Sequence, residues 1–152
     1  SAIRTFTQKV NWKDLDFIIV DMPPGTGDTQ LTFSQEIKID GAIIVSTPQE
    51  VALLDVKRGI KMFDKLGVKI LGLVDNMSYF VGDDNKRYNI FGEGKVRKTA
   101  EEFKKNFLGE IPIDPEVGKS GDNGKPIVED DPDHEISKIY ENFASKIKSS
   151  YL

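Results

Sequence analysis

The chain contains no cysteine, a single histidine and a single tryptophan in 152 residues. Without cysteine it can form no disulfide, no thiolate zinc site and no cysteine-ligated cluster. It also lacks a cationic excess: 21 Lys and Arg stand against 25 Asp and Glu, a net charge of -4 with no basic stripe, so nothing electrostatic favours nucleic acid. No run of 18 apolar residues occurs, and no charged-then-apolar signal segment, so neither a membrane span nor secretion is indicated. Internal repeats and low-complexity tracts are missing too. A cytoplasmic setting fits these absences, and the length is that of one domain, residues 1–152.

Short apolar runs recur at residues 17–20, 42–45, 70–74 and 108–113, with helix-period segments between them. That alternation predicts βαβ units and an α/β fold with a mostly parallel sheet and flanking helices. Residues 51–66 place Val51, Leu54, Val56, Ile60, Phe63 and Leu66 near one stripe, and Gly67 closes the segment as a C-cap, so a crossover helix is expected there. Residues 93–107 read as a charged, weakly amphipathic helix. Residues 133–147, with Ile136, Ile139, Tyr140, Phe143 and Ile147 in register, read as the closing helix, capped by Asp131 or Asp133. Residues 80–94 and 114–131 look irregular.

The stretch Asp16-Phe17-Ile18-Ile19-Val20-Asp21-Met22-Pro23-Pro24-Gly25-Thr26-Gly27-Asp28 is the most informative. Four apolar residues between charges fit a strand buried on both faces, which places the turn that follows at the strand's carboxyl end, where α/β folds bind ligands. A carboxylate at Asp21 can hold a water of a Mg²⁺ shell or orient an attacking water. Gly25 and Gly27 let backbone N–H groups approach a γ-phosphate, and Pro23 and Pro24 stiffen the entry. An ordinary Pro-Gly turn is the competing account. A dinucleotide fingerprint is excluded, because the third glycine position is Gln30.

Other stretches carry weaker signals. Asn76, following the run 70–74 and Asp75, should emerge at the same sheet edge as Asp21, where its amide can pair with an adenine edge or cap a turn. Pro112, Ile113 and Asp114 end the next strand and could offer backbone groups to a base. Gly118-Lys119-Ser120 is not the end of a phosphate loop, because Ile113 stands where the pattern needs glycine; a flexible loop is expected. Residues 129–135 carry acids that suit a helix start better than a metal site. Gly82-Asp83-Asp84-Asn85 reads as a tight turn, since the bidentate Glu of a calcium loop is missing.

Taken in order, Asp21-Met22-Pro23-Pro24-Gly25-Thr26-Gly27-Asp28, Thr47-Pro48-Gln49-Glu50-Val51-Ala52, Asn76-Met77-Ser78-Tyr79-Phe80, Ile90-Phe91-Gly92 and Gly124-Lys125-Pro126-Ile127 resemble the Mrp/ApbC family of iron-sulfur cluster carrier ATPases, deviant P-loop NTPases related to MinD and ParA. The resemblance covers nearly the whole chain. It implies ATP and Mg²⁺ as ligands and a homodimer formed across ATP. It makes Asp21 the switch II carboxylate, touching Mg²⁺ through water, and residues 25–28 the γ-phosphate sensor. Asn76 with residues 112–114 become the adenine contacts, and iron-sulfur apo-proteins the recipients of cargo.

Two departures qualify it. The family's Lys-Gly-Gly-Val-Gly-Lys-Ser/Thr phosphate loop (Walker A) has no match ahead of Asp16, so the chain reads as the carboxyl-terminal portion of a longer protein. Little or no ATPase activity is expected from it alone, because the groups that stabilise phosphoryl transfer are missing. Many family members also carry Cys-x-x-Cys after the Met-Ser-Tyr-Phe-Val stretch; here those positions are Gly82 and Asn85, so no iron-sulfur ligand is assigned and the cluster is in doubt. An ATP-switched partitioning or scaffold-type ATPase without a cluster, and a non-enzymatic binding module, are the competing readings. Loss of the strand that leads into the phosphate loop is further expected to cause rearrangement or oligomer contacts near Val20 and Val45.

Overall fold

The computed structural model describes residue 5, residues 9–22 and residues 27–151. In chain order the elements are α1 (Asp28–Glu36), β1 (Ala42–Ser46), α2 (Glu50–Lys65), β2 (Ile70–Val81), β3 (Arg87–Tyr88), α3 (Lys95–Glu102), β4 (Phe107–Ile113), α4 (Pro115–Asp122), α5 (Ile127–Asp130) and α6 (Glu135–Lys148). The expected α/β architecture is present. β2 is the centre of the sheet, parallel to β1 on one side and to β4 on the other, and its far end folds back antiparallel onto β3.

Each face of the sheet has its own core. On one, Leu53, Val56 and Ile60 of α2 and Val96 and Ala100 of α3 close over Ile70 and Leu73. On the other, Ile127, Ile136 and Phe143 from α5 and α6 pack on Val74, Leu108 and Ile111. A side chain removed from water in this way contributes about 1.5–3 kcal/mol, so the two-sided burial of β2 dominates the fold. α2 stops where the sequence requires: Gly67 lies at φ 69°, and the amides of Gly67 and Val68 bond back to Asp64 and Phe63. In β4, Gly109 adopts φ 152°, and a Cβ there would lie 2.8 Å from the Phe143 ring of α6, so the strand carries a notch into which that ring fits.

Several elements differ from expectation for local physical reasons. Residues 17–20 join no strand ladder among the described residues and are exposed, Ile19 at 82%; their apolar character finds no neighbour to pair with. β2 runs on past residue 74 to Val81, because Asp75 and Ser78 are buried polar residues within it and Met77, at φ 54°, marks only a local break. Residues 114–131 are not irregular but hold α4 and α5. Asp114 caps α4 by accepting from the Glu116 amide at 2.8 Å, and Pro115 sits in its first turn. Gly118, Lys119 and Ser120 are therefore helical. The helix expected over 93–107 occupies only α3, since Lys104 turns to φ 53° and Phe107 already begins β4. α6 is capped by His134 rather than by Asp131 or Asp133. No helix among the described residues is long and apolar enough to cross a membrane.

A candidate nucleotide-base pocket at the carboxyl edge of the sheet

The parallel strands β2 and β4 end side by side, and a cavity of about 190 Å³ opens beyond them. Its walls are residues 79–81 of β2, residues 112–115 at the β4–α4 junction and residues 135–136 at the start of α6. Pro112, Ile113 and Asp114 thus meet at one site, as their position at a strand exit implied. Asp114 is held in place by its capping bond, and its second oxygen lies 3.6 Å from Nε2 of His134. His134 Nδ1 in turn accepts from the Ile136 amide at 3.2 Å, so the ring sits between two walls of the cavity.

Asn76 does not emerge beyond the strand. It lies within β2 in register with Ile111 of β4, three residues before the cavity wall, and is half-buried. The regular ladder to β4 is interrupted between Asn76 and Phe80, where the Ser78 hydroxyl donates to the Ile111 carbonyl at 3.1 Å instead. Asp21 is described, exposed and outside any strand, and it does not line the cavity. Gly27 is the N-cap residue of α1 and Asp28 its first residue. Pro23, Pro24, Gly25 and Thr26 lie outside the described residues.

Charged residues that the sequence alone did not single out gather behind the Tyr79 wall. The Arg87 guanidinium stacks on the Tyr79 ring at 3.9 Å and donates from both terminal nitrogens to Glu110, each at 3.2 Å. Burial raises the Tyr79 hydroxyl above its ordinary range, and nearby Glu135 adds to this. Beside Glu110 in register lies Asp75, 1% exposed, with neither carboxylate oxygen hydrogen-bonded. Its carboxyl is pushed up to about 6, first by burial and then by the Glu110 charge, with Arg87 opposing. In the sequence this group is marked only by Asp75, which follows directly on the apolar run 70–74.

The donor chemistry suits a planar polar ring at this edge: proline and aliphatic walls, a tyrosine face, and backbone groups at residues 112–114. No group of three or more His, Cys, Asp or Glu side chains among the described residues could hold a metal ion. The turn at 82–85 is closed by its own polar contacts. Asp84 accepts from the Lys86 amide at 3.1 Å and from the Tyr88 hydroxyl at 2.9 Å, and a Cβ at Gly82 would press on Asp84 and Tyr88 at 2.9 Å. Neither Gly82 nor Asn85 offers a thiolate, so this turn does not suit an iron-sulfur cluster.

The sheet with helices on both faces is an α/β fold, and it superposes on the MinD-like P-loop NTPase fold. The septum site-determining protein MinD from Pyrococcus horikoshii OT3, solved with Mg-ADP, superposes over 95% of this chain and 56% of its own with a TM-score of 0.71 at 21% identity, a likeness of fold. The chain belongs to the ParA-type family described as NUBPL iron-transfer P-loop NTPase, whose profile matches residues 1–148. The nucleotide-binding protein from Archaeoglobus fulgidus, solved in complex with ADP, is 43% identical with a TM-score of 0.74, covering 82% of this chain and 51% of that one. The iron-sulfur cluster carrier protein of Aquifex aeolicus is 44% identical over 144 residues, which are 94% of this chain. The chain spans 40% of the length of that relative.

Proposed function

We propose that this chain is the nucleotide-sensing portion of an ATP-dependent iron-sulfur cluster carrier, with the cavity at 79–81 and 112–115 receiving the adenine. The observation that carries this reading is the convergence of the β2 and β4 ends on one cavity at the carboxyl edge, in a chain whose family is that of iron-transfer NTPases. Pro112, Ile113 and Asp114 contact the base, and Asn76 acts from the adjoining strand. Residues 25–28 would meet the γ-phosphate, with Pro23 and Pro24 stiffening the entry, and Asp21 would orient Mg²⁺ through a water and serve the attacking water. ATP and Mg²⁺ supply the phosphoryl-transfer chemistry when bound. The protein would act as a cytoplasmic homodimer closing across ATP, and iron-sulfur apo-proteins would be its clients.

Hydrolysis would need a phosphate loop from a longer protein, so the 152-residue chain should bind adenine nucleotide weakly and turn it over little. Three measurements test this reading. Titrating AMP into the chain should shift the amide signals of residues 79–81, Ile113 and Asp114. In the longer protein, Asp21→Ala should abolish hydrolysis and spare ATP binding, whereas unchanged turnover removes Asp21 from the mechanism. Replacing Asn76 should weaken adenine affinity and relax the preference among bases.

The self-braced turn at 82–85 favours a second reading, in which ATP switches partner binding and this chain ligates no cluster. Anaerobic cluster reconstitution of the longer protein, read by its visible spectrum, separates the two.

A further inference from the structure

Asp75, Glu110 and Arg87 come from three strands and hold two carboxylates against one guanidinium. Arg87 commits both terminal nitrogens to Glu110 and lays its plane against Tyr79, which leaves Asp75 buried with two unpartnered oxygens. A buried carboxylate without a donor is tolerated as the neutral acid and is costly as the anion. The charged groups acting on Asp75 are Glu110 on β4 and Arg87 on β3, the first repelling and the second attracting the anion. β1 places Ser46 opposite, whose hydroxyl donates to the Thr47 carbonyl, and Glu50 and Lys95, at the starts of α2 and α3, pair with each other at 2.7 Å.

We propose that these three side chains form a proton-controlled latch on the Tyr79 wall of the cavity. With Asp75 protonated, Arg87 stays clasped to Glu110 and braced on Tyr79, and the wall is fixed. When Asp75 loses its proton, the two carboxylates compete for one guanidinium, Arg87 is drawn from its stacked position, and Tyr79 is freed to move. Arg87 is thus a positioning residue acting through Tyr79, and Asp75 sets its position. The latch shapes the cavity whatever ligand fills it, so it stands or falls apart from the adenine assignment.

The test is carbon-detected carboxyl NMR of the ligand-free chain from about pH 3 to 8, with the Arg87 Nε and Tyr79 ring signals followed in the same samples. Asp75 should titrate with a midpoint near 6, and the Arg87 and Tyr79 signals should move with that midpoint. In Glu110→Gln the repelling charge is gone and the guanidinium is released, so the Asp75 midpoint should fall by about one pH unit or more. In Arg87→Gln the Tyr79 signals should stop following pH while Asp75 titrates higher. An Asp75 midpoint at about 4, the ordinary carboxylate range, overturns the latch. So do Tyr79 signals that stay flat through the Asp75 transition, or an unchanged midpoint in Glu110→Gln.

Discussion

Residues 17–20 and residues 70–74 are both short apolar runs of strand-forming side chains, and the fold treats them oppositely. The second run is the middle of the sheet, with Leu73 at 0% and Val74 at 3% exposure, β1 and β4 on its edges and helices over both faces. The first pairs with nothing among the described residues and leaves all four side chains exposed. β1 stands between these extremes: Ile44 packs into the core, whereas Ile43 and Val45 face solvent. Strand propensity is therefore realised only where neighbours exist to take up the backbone hydrogen bonds and cover the side chains.

The sharpest way to break that comparison is to truncate one residue in each run. Leu73→Ala should cost about 2–5 kcal/mol in urea unfolding, and Ile19→Ala no more than about 0.5 kcal/mol. Equal losses would mean that residues 17–20 are packed after all. Next in size is the buried acid of the central strand. Its folded-state value of about 6 lies above the ordinary 3.8, so the unfolded chain releases its proton first and stability falls as pH rises from about 4 through 6. Above that window the anion's penalty is complete, and Asp75→Asn should stabilise the chain at pH 7.5 by about 2–3 kcal/mol while flattening the thermal-melting profile between pH 4 and 7. His134→Ala removes the α6 cap and should cost about 1 kcal/mol by the same melts. The smallest effect is expected from Ile19→Lys, which should leave stability within about 0.5 kcal/mol but lower self-association in concentration-dependent gel filtration.

Much of the α/β order was legible because it rests on local patterns: the runs that became β1, β4 and the first half of β2, and the register of α6. α2 was also placed correctly, but its buried face carries Leu53 with Val56 and Ile60, whereas Val51 and Leu54 of the expected stripe are exposed. What could not be read depends on distant partners. The second half of β2 is a strand because Ser78 and Asp75 find burial against β4, which no window around residue 78 reveals. Glycines between 118 and 124 concealed α4, although Asp114 and Pro115 are its start signals. Of the candidate site, Pro112, Ile113 and Asp114 were found because a strand exit is visible in sequence. Tyr79, Arg87 and Glu110 were not, because they meet only once the hairpin at 82–88 folds back along β2.

The notch at Gly109 has a mechanical consequence. Because the Phe143 ring fills a space that any side chain on that residue would occupy, α6 can neither slide along the sheet nor rotate without first lifting the ring clear. The closing helix therefore detaches in one step rather than by creep, and amide exchange across residues 136–147 should report a shared opening with a single protection level.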